Sequence, residues 1–133
     1  MPSTYSEPIV ISTVDHDHIE RLIAAHGGRR DRSGVDALSE ELERARVVEP
    51  NEVPSDVVRL GSRVLFVDES TGAREEVTPV LPADADPARG RVSILAPIGG
   101  ALIGLRVGQE IDWPFPSGTR HLRVVGVEPA GDV

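Results

Sequence analysis

The apolar periodicity of this chain changes once, at a connector bracketed by Pro50 and Pro54, and that change limits the folds open to it. Before the connector the spacing is helical. Ile19, Leu22, Ile23 and His26 follow i, i+3, i+4, i+7, and Val35, Leu38, Leu42 and Ala45 follow at steps of three and four. A short extended segment, Ile9 to Ile11, precedes them. Thr13 is the expected N-cap of the first helix, with Asp15, Asp17 and Glu20 in the turns where the helix dipole favours acids. Gly27-Gly28 ends it. Ser33 and Asp36 form a weak capping box for the second helix, and Glu40 and Arg44 stand in the favourable i,i+4 order. Two helices of ~13–15 residues, each with one narrow seam, predict an antiparallel hairpin ~20 Å long.

After the connector the pattern is that of short strands. Extended runs are expected at Val57-Val58, Arg63–Asp68, Glu75–Leu81, Val92–Leu95, Glu110–Trp113 and His121–Glu128. Glu69 to Gly72 reads as a turn and Pro82 to Gly90 as a polar loop. Pro79 restricts its strand to an edge or a bulge. Pro97 suits the first turn of a short helix whose apolar face is Ile98, Leu102 and Ile103 and which Gly104 ends. The expected fold class is α+β. A short N-terminal antiparallel helical hairpin occupies 1–49, and an antiparallel sheet around a short helix occupies 50–133.

Composition removes several kinds of chemistry. The 133 residues include no cysteine, so disulfides, thiolate metal sites and a cysteine nucleophile are out. All 14 basic residues are arginine, which removes a P-loop or Schiff-base lysine. A net charge of −8 disfavours autonomous binding of nucleic acid. Only Tyr5, Phe66, Trp113 and Phe115 are aromatic, too few for base-stacking platforms. With no apolar run of spanning length and no leader-like start, the expectation is a cytoplasmic protein without membrane contact.

Candidate catalytic and metal-ligating residues do not converge. In Asp15-His16-Asp17-His18 neighbouring positions point to different sides of a helix, and only His16 and Glu20 share the i,i+4 spacing that chelation uses. His121 opens a strand with no acid or nucleophile tied to it. The acidic pairs Glu40-Glu41, Glu75-Glu76, Asp84/Asp86 and Glu110/Asp112 read as solvated faces. No catalytic residue, metal or cofactor is expected, and the residues alone point to an interaction module.

One segment is more distinctive. From Val92 through Ala96-Pro97-Ile98, Ala101-Leu-Ile-Gly104 and Val107-Gly108 to Trp113, the chain resembles the C-terminal domain of the bacterial Gre transcript-cleavage factors. With the Asp36–Ala45 block, Val53-Pro54 through Val58, and Gly61-Ser-Arg-Val64, it resembles most the Rnk branch of that family, which is named for regulation of nucleoside diphosphate kinase. The resemblance implies an FKBP-like C-terminal domain behind a coiled-coil hairpin. It also implies a partner, RNA polymerase, gripped at the rim of its secondary channel by Leu95, Ala96, Pro97 and Ile98. Packing inside the domain suits Leu95 equally well.

Gre factors carry an acidic pair at the tip of a long coiled coil, where it helps to hold a magnesium ion. Here the turn carries Arg29, Arg30, Asp31 and Arg32, net basic, and neighbouring positive charge opposes a cation. The expectation is therefore a modulator that competes with Gre factors at the channel without stimulating transcript cleavage. The alternatives are an FKBP-type peptidyl-prolyl isomerase and a regulator acting on nucleoside diphosphate kinase.

Overall fold

The structure, a computed structural model, describes residues 8–25 and 33–129. In chain order these form β1 (Val10–Ser12), α1 (Thr13–Ala25), α2 (Ser33–Arg44), β2 (Arg46–Val48), β3 (Arg63–Asp68), β4 (Arg74–Val80), β5 (Arg91–Ser93), α3 (Pro97–Leu102), β6 (Glu110–Phe115) and β7 (Gly118–Glu128). The architecture is mixed α/β, with a curled sheet and few helices. No helix among the described residues is long and apolar enough to cross a membrane.

The helix seams behave as their spacing requires. Ile19, Val35, Leu38 and Leu42 are buried, and Leu22, Ile23 and Ala45 are packed against the same core. The cap of α1 is Ser12 rather than Thr13: the Asp15 N–H donates to Ser12 Oγ at 3.0 Å, which makes Thr13 the first helical residue. Arg44 pairs with Glu41 one turn back, at 3.1 Å, and not with Glu40. His26 and the turn after it lie outside the described residues.

β1 and β2 run parallel, with Val10 opposite Arg46 and Ser12 opposite Val48. The main sheet has the order β5-β4-β3-β7-β6. Its inner strands are antiparallel, with Val64 opposite Val77, Phe66 opposite Val124 and Ile111 opposite Leu122. β5 departs from the antiparallel expectation and lies parallel to β4, with Pro79 opposite Val92. The loop between them makes 3₁₀ turns at Pro82 and Pro87, and that length of chain carries it back to the starting end of the sheet.

Pro79 is tolerated inside β4 because β3 has ended there. Val64↔Val77 closes the β3–β4 register, and the Pro79 carbonyl accepts from the Gly61 N–H at 2.8 Å. The missing N–H therefore faces no strand partner.

A single core crosses the connector. Val64, Phe66, Ile111, Trp113, Leu122 and Val124 from the sheet meet Leu102, Ile103 and Leu105 from and after α3. Ile9, Ile11, Ile19, Leu38 and Leu42 join the same cluster from the N-terminal side. Asp15 adds a polar tie between the two parts, its Oδ2 accepting from the Leu60 N–H at 3.2 Å.

Candidate functional site

The loop from β5 into α3 is shaped by a serine and two glycines. The Ser93 hydroxyl accepts from the Leu95 N–H at 3.0 Å and the Ser93 carbonyl accepts from the Ala96 N–H at 2.9 Å. These two bonds turn the chain immediately before Pro97, which begins α3 where no N–H is required. Gly99 and Gly100 let α3 lie on the loop that feeds it. A Cβ on Gly99 would stand 2.3 Å from the Ser93 carbonyl oxygen, and one on Gly100 would stand 3.0 Å from that of Ile94 and 3.6 Å from Trp113 Cζ2.

Leu95, Ala96, Pro97 and Ile98 are all half-buried, and Ile98 also packs on the core. They form a short apolar ridge on a backbone held by hydrogen bonds, with Ile94 below it 1% exposed. Such a ridge offers shape and apolar area and no nucleophile or proton-transfer group. Arg29, Arg30, Asp31 and Arg32 lie outside the described residues.

The three aromatic side chains among the described residues are committed to packing, and Tyr5 lies outside them. Phe66 and Trp113 are buried, and Phe115 lies under the guanidinium of Arg120, 4.5 Å from its ring centre. That guanidinium donates through Nε to Asp68 Oδ2 at 2.8 Å, and Asp68 also accepts from the Ser70 hydroxyl at 2.6 Å. The Ser70 hydroxyl does most to hold the buried Asp68 carboxyl below its ordinary range, with Arg120 and the Ser70 N–H adding to it and burial opposing.

The histidines divide. His16 Nε2 is 3.3 Å from the Leu42 carbonyl, which sets the start of α1 beside the end of α2, and its distance to Glu20 is 3.8 Å. No group of acids and histidines among the described residues is arranged to hold a metal ion. His121 lies inside β7 rather than at its start and is tied to two acids, Asp112 and Glu110, each at 2.5 Å. Pattern reading on single strands misses this contact. Pairing β6 with β7 across the turn at Pro116-Ser117 would have found it, because that register sets Asp112 opposite His121. The buried Glu41 was also missed, since it falls beside an apolar seam that a three-four count leaves to Leu38 and Leu42.

Comparison with known proteins agrees with this arrangement. Residues 53–129 match the family model described as transcription elongation factor, GreA/GreB, C-term, and residues 7–48 match the one described as Rnk N-terminus. The regulator of nucleoside diphosphate kinase of Escherichia coli K12 is 40% identical over 123 residues, covering 90% of this chain and 88% of that protein. The transcription elongation factor GreA of Rhodospirillum rubrum is 32% identical over 128 residues, covering 90% of this chain and 82% of that protein. Among solved structures, a prokaryotic transcription elongation factor GreA/GreB from Nitrosomonas europaea superposes with a TM-score of 0.71 at 40% identity, over 92% of this chain and 99% of that one. The chain belongs to the GreA/GreB transcription elongation factor family, in the branch that carries an Rnk-type N-terminus.

Proposed function

We propose that this protein binds RNA polymerase at the rim of the secondary channel through Leu95, Ala96, Pro97 and Ile98, and modulates transcription there in competition with Gre factors. The observation that carries the reading is the apolar ridge itself: four half-buried residues, the first two held at their amides by Ser93, in the part of the chain that matches the GreA/GreB C-terminal model. The helices α1 and α2, with the arginine-rich segment that joins them in the sequence, would then face the channel. One acid among three arginines is a poor holder of magnesium, so transcript cleavage is not stimulated.

The test is co-elution of the purified protein with core RNA polymerase at micromolar concentration, and its loss when Pro97→Glu is introduced into a chain that keeps its thermal midpoint. Added GreA should displace the protein. A stalled elongation complex that shortens its transcript faster in its presence would sink the no-cleavage part.

A second reading rests on the name of the Escherichia coli relative, a regulator of nucleoside diphosphate kinase. A change in the rate of purified nucleoside diphosphate kinase on adding this protein, with no polymerase present, would favour it. The isomerase alternative is weakened by the burial of Trp113 and Phe66 and by the stacking of Phe115 under Arg120.

A further inference from the structure

The outer face of the β6–β7 pair carries a charged cluster that the polymerase reading does not use. His121 stands opposite Asp112 across the two strands, and Glu110 stands opposite Arg123. His121 Nδ1 is 2.5 Å from Asp112 Oδ1, and Nε2 is 2.5 Å from Glu110 Oε1. Ionised carboxylates only accept hydrogen bonds, so both contacts exist together only when both ring nitrogens carry a proton. A neutral imidazole has one N–H, and its bare nitrogen would face a carboxylate oxygen lone pair to lone pair.

The other charged groups facing the ring do not replace that proton. On β7 the next residue on the same face, Arg123, is engaged through Nε by Glu69 at 2.5 Å. Glu69, which follows β3, also donates its backbone N–H to the His121 carbonyl at 2.8 Å. The ring therefore contacts two carboxylates, Glu110 and Asp112, while the neighbouring guanidinium of Arg123 is already bound to Glu69.

β6 is the last strand of the sheet, and β7 is its one ladder partner among the described strands. On its inner side it carries Ile111 and Trp113 into the core, with Trp113 against Gly100 of α3 and Leu38 of α2 close by. We propose that His121 is a proton-operated clasp: the imidazolium bridges Asp112 and Glu110 and fastens edge strand β6 to β7, and loss of the proton loosens that edge. The hydrogen bond donated to Asp112 raises the imidazole pKa most, followed by that donated to Glu110, with burial opposing. A raised folded value gives the sign: the clasp contributes fully below the unfolded pKa, near 6.5, and is lost as pH rises through the folded one.

The experiment is an NMR titration of the full chain labelled with nitrogen-15, together with denaturant unfolding read by Trp113, the single tryptophan. His121 is expected to show two protonated ring nitrogens at neutral pH and to titrate above the ordinary imidazole value. The ratio of unfolding constants, wild type over His121→Gln, should rise with pH by up to about tenfold for each unit by which that midpoint is raised. If His121→Gln does not fold, Glu110→Gln removes one arm and should lower the His121 midpoint while leaving the ring bound to Asp112. A ring singly protonated at neutral pH, a midpoint at the ordinary value, or a midpoint unmoved by Glu110→Gln would each overturn the clasp.

Discussion

A methyl group added to Gly104 would stand 2.7 Å from Cβ of Ile9, across the seam between the carboxy-terminal sheet and the strand that starts the helical part. Gly104 has φ +83°, donates its N–H to the Val58 carbonyl at 2.9 Å and accepts from the Val10 N–H at 3.1 Å. One residue therefore joins β1, the Val57-Val58 segment and the end of α3. Its missing side chain is the space that Ile9 fills.

Gly104→Ala should consequently destabilise the whole chain by about 2–5 kcal/mol, the sum of a left-handed backbone penalty and overpacking against a core residue. Reducing the partner should recover part of the loss. The double variant Gly104→Ala with Ile9→Ala should be less unstable than the two single effects added together. Strict additivity in a denaturation cycle would mean that the two residues do not share the space.

Gly99→Ala tests the loop in front of α3. The new Cβ would press on a backbone oxygen, that of Ser93, at 2.3 Å, and a backbone atom cannot rotate away. An expected loss of about 1–3 kcal/mol follows from overpacking. The amide signals of Leu95 and Ala96 should move with it, because both depend on Ser93 for their hydrogen bonds. Unchanged shifts at those two amides would show that α3 rides on the loop more loosely than this spacing requires.

What the sequence made legible is what is local. Pro97 and Gly104 bound the short helix because each acts on its own backbone, and Ile19, Leu38 and Leu42 mark the helix seams because burial repeats at the helical period. The direction of β5 is not legible, since it depends on where a polar loop with two 3₁₀ turns delivers the strand. His121 looked solitary because its partners are nine and eleven residues away, and only the strand register sets them on one face. Ser12 caps α1 in place of Thr13 for a similar reason: both residue types can cap, and the entry of β1 decides which. For the proposed docking ridge, Leu95 to Ile98 was reached through family resemblance, and the geometry that shapes it, Ser93 against Gly99, is a packing relationship between residues six apart.

Asp68 and Arg120 should govern the response to acid. The Asp68 carboxyl lies below its ordinary value, held first by the Ser70 hydroxyl and then by Arg120. Its contribution is present above the unfolded pKa, about 3.9, and is lost as pH falls through the lower folded value. Asp68→Asn should cost about 1–3 kcal/mol at neutral pH, because Arg120 keeps only the 3.9 Å approach of Glu75 and the face of Phe115. The gap between the two proteins should close on acidification below about pH 4. Parallel stability curves down to the lowest pH would show that Asp68 titrates alike in the folded and unfolded chains.

Glu41 predicts the opposite sign. Its carboxyl is buried beside Leu38 and Leu42, and its pKa is raised, chiefly by burial with the Glu40 charge adding to it and Arg44 opposing. A raised carboxyl pKa means that the folded state prefers the protonated form, so ionised Glu41 weakens the fold at neutral pH. Glu41→Gln keeps the shape and an acceptor for Arg44 Nη1, which lies 3.1 Å from the carboxylate. It should stabilise the protein at pH 7 by a few tenths to about 1 kcal/mol. The gain should shrink as pH falls through the raised folded value towards the ordinary glutamate one and wild-type Glu41 takes up its proton, at higher pH than the range in which the Asp68 contribution is lost. A loss of stability at pH 7 in Glu41→Gln, measured by denaturant unfolding, would show that the ion pair with Arg44 outweighs the burial of the charge.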